Sequence, residues 1–93
     1  MSGGTSQPGR SVTNRVLEIL AAFEQSPAPI KVADIAAHAD LPISSAHRLV
    51  AELVEWGALE RHPQGGLRLG QRIFRMVSNQ YPETKQLAGS GVR

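Results

Sequence analysis

Between two amphipathic helical patterns the chain leaves only Asp40-Leu41-Pro42, a connection short enough to make the two helices packed neighbours. The first pattern is Val32, Ile35, Ala36 and Ala39, spaced i, i+3, i+4 and i+7 over about two turns. Its small alanines permit close approach by another helix. Asp40 falls where helices commonly end in the left-handed conformation, which aspartate tolerates better than most residues though less well than glycine. Pro42 restarts the chain in a new direction. From there Ile43, Ala46, Leu49, Val50 and Leu53 recur at three- and four-residue intervals, up to a terminating Gly57. Away from that apolar side, the N-terminal end of the second helix carries Ser44, Ser45, His47 and Arg48, a compact set of hydrogen-bond donors and acceptors with no acidic residue among them.

The flanking segments complete a small domain over residues 11–80. Residues 1–10, rich in Gly, Ser, Pro and Gln, have little to bury and are expected to form a disordered leader. Ser11 is a good N-cap for a helix whose apolar set is Val12, Val16, Ile19, Leu20 and Phe23, and Ser-Pro-Ala-Pro stops it. At the start of the next helix Lys31 cannot accept a backbone N–H bond, so Asp34 is expected to supply half of a capping box. After Gly57, "ALERHPQGGLRLG" reads as two short strands around a Pro-Gln-Gly-Gly turn. Its register stays open, because Leu59 shares a face with Leu67 and Leu69 only for some loop lengths. "QRIFRMVSNQ" predicts a fourth helix with Ile73, Met76 and Val77 inward, and residues 81–93 read as a flexible tail or the start of a linker.

Composition removes several function classes. Ninety-three residues leave little room for a large catalytic cleft. With no cysteine there is neither a disulfide framework nor a thiolate metal cage. His38, His47 and His62 lack ligand spacing, and Ser44 and Ser45 lack a base held by a third group, so no metal site, cofactor or enzyme is expected. The N-terminus has no apolar signal core and no run approaches a membrane span, which fits a cytoplasmic protein. The net charge is only +2, but Arg61, Arg68, Arg72 and Arg75 form a strip without an acidic residue, suited to a polyanion. Trp56, just before the terminating glycine, is assigned to packing at the core or the wing root rather than to base stacking.

Three helices, a hairpin and a fourth helix make a mainly α fold with a small β-hairpin, a winged helix-turn-helix. In such domains the second helix of the pair lies in the DNA major groove with its N-terminal residues on base edges. That places Ser44, Ser45, His47 and Arg48 where they can reach double-stranded DNA.

The run "LPISSAHRLVAEL", followed by a glycine and an "LRLG" strand, resembles the DNA-binding domain of the isocitrate lyase regulator (IclR) family of bacterial transcription factors, and the likeness covers about residues 11–80. The resemblance implies a dimeric, sequence-specific transcription regulator on a near-palindromic operator, with a small-molecule effector domain behind the fourth helix. Residues 81–93 would hold at most the start of that linker, in a piece of a longer regulator or in a protein that dispenses with ligand sensing. Carried onto this sequence, the pattern assigns Ser44, Ser45, His47 and Arg48 to the major groove or adjacent phosphates. It assigns Arg61, Gln64, Gly65, Gly66 and Arg68 of the wing to the backbone or minor groove. Asp40 stands where the family favours glycine, Lys31 where it favours a threonine or serine cap, and Ile43 where it favours a basic or polar residue. The resemblance also implies dimerisation through the first helix and a long linker helix, so the isolated domain is expected to associate weakly and to pair on DNA. The alternative is a winged-helix protein-interaction module. Such a face should offer aromatic or aliphatic anchors, whereas this one offers Ser, His and Arg.

Overall fold

The computed structural model describes residues 10–83. Four helices, α1 (Val12–Gln25), α2 (Val32–Ala39), α3 (Ile43–Trp56) and α4 (Gln71–Gln80), enclose an antiparallel hairpin of β1 (Leu59–Arg61) and β2 (Leu67–Leu69). The expected winged helix-turn-helix is therefore present. Residues 1–9 of the proposed leader (1–10) and residues 84–93 of the proposed tail (81–93) lie outside the described residues.

Local signals start and stop most elements as expected. Ser11 caps α1, its hydroxyl accepting the Asn14 amide at 2.9 Å. Asp40 adopts the left-handed conformation (φ 57°, ψ 54°) and its N–H turns back on the Ala36 and Ala37 carbonyls, while Leu41 N–H also reaches Ala36 O. Gly57 ends α3 in the same region of conformational space, with φ 100°. The anticipated capping box at α2 does not form. Lys31 makes no side-chain cap bond, and the Asp34 amide bonds instead to the Lys31 carbonyl, a backbone turn that leaves the carboxylate free.

The core is one cluster, built where α1, α2 and α3 meet the hairpin: Ile19, Ile30, Ile35, Leu49, Leu59 and Leu67 are its largest buried members, with Val50 beside them. Ala36, Ala39 and Ala46 are buried as well, and their small side chains let the helix backbones approach. Each buried leucine or isoleucine contributes ~1.5–3 kcal/mol of transfer free energy. The hairpin pairs Leu59 with Leu69, Glu60 with Arg68 and Arg61 with Leu67, which resolves the open register. A further bridge, unseen in the sequence, joins Ile30 to Leu67 through two backbone bonds of 2.9 and 2.8 Å. A single strand residue after a proline-rich stretch offers no alternation to read.

Four apolar expectations fail, at the ends of three helices. Val12 and Ile43, the first residues of α1 and α3, are exposed, because each precedes the seam that its helix buries. In α4 Ile73 is half-buried while Met76 and Val77 are exposed, since that helix touches β1 near its start and then leaves the body of the domain.

What brings α4 close is Gly70. Its N–H donates to Ala58 O at 2.8 Å, and the carbonyl of Gly57 occupies the space where a Cβ would stand. Its φ of −83° suits any residue, so Gly70 is required for space and not for backbone freedom. Gly70→Ala should lower the unfolding free energy by about 3 kcal/mol, the upper end of overpacking costs. Gly65, with φ +93° in open space, supplies the contrast: Gly65→Ala should cost only about 1 kcal/mol of backbone strain. Urea unfolding of the two variants, compared with the parent chain, measures both values.

Candidate nucleic-acid interface

Helix α3 begins at Ile43, with Pro42 as its N-cap and no side-chain cap bond. Ser44 and Ser45 therefore sit inside the first turn and do not finish the helix terminus, so capping does not account for them. Ala46, Leu49 and Val50 face the core, with Leu53 and Val54 at its edge. At 100° per residue this turns Ser44, Arg48, Ala51 and Glu55 outward, with His47 and Glu52 on the two flanks. Ser44, His47 and Arg48 are exposed, and Ser45 is half-buried. The structure thus brings the four expected reading residues together on one end of one helix.

Charge along that helix is polarised. Arg48 lies 4.0 Å from Glu52 one turn on, but with their side chains 60% and 67% exposed this is a loose surface pair. It leaves the guanidinium available to a better acceptor. Glu52 and Glu55 place negative charge on the exposed side of the last two turns. A polyanion is accordingly favoured at the N-terminal end of α3 and disfavoured along the outer side of its last two turns, where Glu52 and Glu55 stand.

The wing divides its expected contacts. His62 to Gly66 form the connecting loop, closed by His62 N–H to Gly66 O and Gly65 N–H to His62 O, both 2.9 Å. His62 Nδ1 accepts the Gln64 amide at 3.1 Å, which holds Gln64 and Gly65 exposed at the tip, with Gly66 half-buried behind them. Gly66 backs against Ile30 and Pro29 so closely that a Cβ would meet both at 3.1 Å. Strand pleating sets Arg61 and Arg68 on opposite faces of the hairpin. Arg68 is ion-paired with Glu60 across the strands, whereas Arg61 borders a cleft with Trp56, Arg72 and Arg75. Trp56 is at the wing root as expected, but it is 46% exposed and its indole is covered by Arg72 at 3.7 Å.

One contributor was not legible in the sequence. Arg10, assigned there to the leader, reaches across to donate to the Ala39 and Asp40 carbonyls at 2.9 and 3.2 Å. With Arg15, Asp40, Pro42 and Ser45 it borders a recess beside the start of α3. An arginine directly before an N-cap serine is the only local sign, and it carries no periodicity. Among the described residues no group of His, Cys, Asp or Glu could hold a metal ion, and no helix is long and apolar enough to cross a membrane.

Residues 12–63 match the model of the IclR helix-turn-helix domain. Among solved structures, an IclR homologue from Microbacterium hydrocarbonoxydans, complexed with 4-hydroxybenzoate, is 39% identical with a TM-score of 0.66, over 71% of this chain and 28% of that one. A second IclR homologue, from Microbacterium sp. strain HM58-2, is 37% identical with a TM-score of 0.69, over 75% of this chain and 29% of that one. The Agobacterium tumefaciens repressor BlcR is 34% identical with a TM-score of 0.63, over 74% and 29%. The chain thus spans less than a third of the length of each of these structures. None of the curated proteins is similar enough to count as a match.

Because Arg10 bonds two carbonyls at the corner between α2 and α3, Arg10→Ala should destabilise the domain by about 1–2 kcal/mol in urea unfolding, the net worth of a charge-assisted hydrogen bond. Arg15→Ala, which loses no such bond, should unfold within ~0.5 kcal/mol of the parent.

Proposed function

The chain belongs to the IclR family, and on that premise we propose that residues 11–80 are the DNA-reading head of a sequence-specific transcription regulator. The single observation that carries this reading is the N-terminal end of α3, where Ser44, Ser45, His47 and Arg48 stand together, uncapped and unobstructed, on a helix whose opposite side is locked into the core. Entered into the major groove from this end, the helix brings Arg48 to a base edge and Ser44 and Ser45 to an edge or the adjoining phosphate. His47 offers one donor and one acceptor to a base or phosphate on the neighbouring flank.

The wing follows the same duplex. Gln64, Gly65 and Gly66 at the loop, with Arg68 on one face of the hairpin and Arg61 on the other, lie along the phosphate backbone or the edge of the minor groove. Arg68 brings Glu60 with it, so its approach to phosphate costs that ion pair. Two copies on a near-palindromic operator would place their half-sites ~34 Å apart, about one turn of the duplex. Exposed Leu17 on α1, and Phe74, Met76 and Val77 on α4, give such a pair apolar surface to share once DNA aligns it. Residues 81–93 are assigned to a tail or the start of a linker. A small-molecule effector, such as the 4-hydroxybenzoate bound by the Microbacterium homologue, would be sensed only where an effector domain follows that linker.

Arg48 provides the test. Arg48→Ala removes no core contact, so the melting temperature should hold while specific binding to the best duplex selected from a randomised pool falls by ~1–3 kcal/mol. Arg48→Lys keeps the charge but loses the bidentate fork, and should recover non-specific affinity only. If the parent chain and both variants bind that duplex equally, α3 is not the reader. On the wing, Arg68→Ala should weaken binding to selected and scrambled duplexes alike and flatten the dependence of log K on log salt by ~1. Titration at two or more salt concentrations separates the two behaviours.

A further inference from the structure

Four arginines ran together in the sequence from Arg61 to Arg75, and the fold separates them. Arg68 pairs with Glu60 on the outer face of the hairpin, while Arg61, Arg72 and Arg75 gather with Trp56 around a cleft of about 420 Å³ at the root of the wing. Arg72 is spent inside the domain: it stacks on the Trp56 indole and donates to the Trp56 carbonyl at 3.0 Å. Arg61 and Arg75 have no acidic partner among the described residues, and the carboxylate at the rim, Glu60, is already held by Arg68. Two unmatched guanidinium groups thus flank an indole that is nearly half exposed.

We infer that this cleft is a docking site for an acidic segment of a partner protein. Carboxylates of such a segment match Arg61 and Arg75 in the bidentate geometry guanidinium favours, and an adjacent aliphatic or aromatic side chain covers the open part of the Trp56 ring. Nucleic acid is the other polyanion to consider, and the charge on α3 argues against it. A phosphate strand running from the reading end at Ser44 and Arg48 to the cleft, about 20 Å along the helix, would pass Glu52 and Glu55 on the exposed side of the last two turns. A peptide approaching from the α4 side meets neither. The inference rests on the DNA-reading proposal only for the direction in which the duplex lies, and Arg61 is the one residue the two surfaces share.

Trp56 is the single tryptophan of the chain, so its emission reports the cleft directly. Titrating the 93-residue chain with a short synthetic Glu/Leu peptide should change that emission saturably, and a Lys/Leu peptide of equal length should not. Arg75→Glu, which removes no hydrogen bond or ion pair seen among the described residues and lies outside the DNA-reading set, should weaken the Glu/Leu peptide by about tenfold or more, with an unchanged melting temperature and unchanged affinity for duplex. The inference is overturned if the Glu/Leu peptide gives no saturable change, or if Arg75→Glu binds it as tightly as the parent. It is equally overturned if duplex DNA shifts Trp56 emission and Arg75→Glu lowers duplex affinity, which would make the cleft part of the DNA track. A parent chain that binds no duplex at all would refute the DNA-reading proposal, and that result is seen without any peptide present.

Discussion

The left-handed residue at Asp40 is the constraint on which the rest of the molecule depends. One residue with positive φ lets α2 stop, lets its last carbonyls be answered by the Asp40 and Leu41 amides, and sends the chain into α3 three residues later. The angle set there brings Ile35 and Ala39 against Leu49 and Val50, and α1 and the hairpin close over that contact. An aspartate in this conformation carries a strain that glycine would not. The Arg10 guanidinium bonds the Ala39 and Asp40 carbonyls and supports the corner from outside. The reading end of α3 is positioned by a strained residue held from two sides.

Electrostatics then sorts the surface by position along one helix. The described chain has no large excess of either sign, so its preference for a polyanion has to come from arrangement. At the start of α3 the cation stands beside hydroxyls and an imidazole, and toward the end Glu52 and Glu55 turn carboxylates to the outer side. The wing repeats this economy, with one arginine neutralised by its cross-strand neighbour and another left unmatched on the opposite face. What a charge count over the strip from Arg61 to Arg75 presents as one feature becomes two surfaces with different chemistry once strand pleat and helix phase are known.

Periodicity made the helices legible, and with them the α3 reading residues, because a helix that buries Ala46, Leu49 and Val50 has no choice about where Ser44 and Arg48 point. Glycine and the aspartate at the corner marked their own turns. The apolar misreadings share a cause: apolar pattern shows which face of a helix is apolar but not how far along the helix a partner extends. Ile43 and Val12 begin their helices ahead of the packed seam, and Met76 and Val77 continue past it. The bridge from Ile30 to Leu67, the reach of Arg10 and the Arg72–Trp56 stack join residues far apart in the chain, and no local rule announces them.

At the joint between the hairpin and α4, Gly57 and Gly70 meet backbone to backbone, and Arg72 closes over the same point from the first turn of α4. Most contacts between helices pass through side chains, which can change rotamer and absorb a displacement. At the Gly57–Gly70 contact itself neither residue has a side chain to yield. The first turn of α4 is therefore held at the end of α3 by main-chain atoms that have no rotamer to change, so the direction in which α4 leaves the domain is set at the glycine pair.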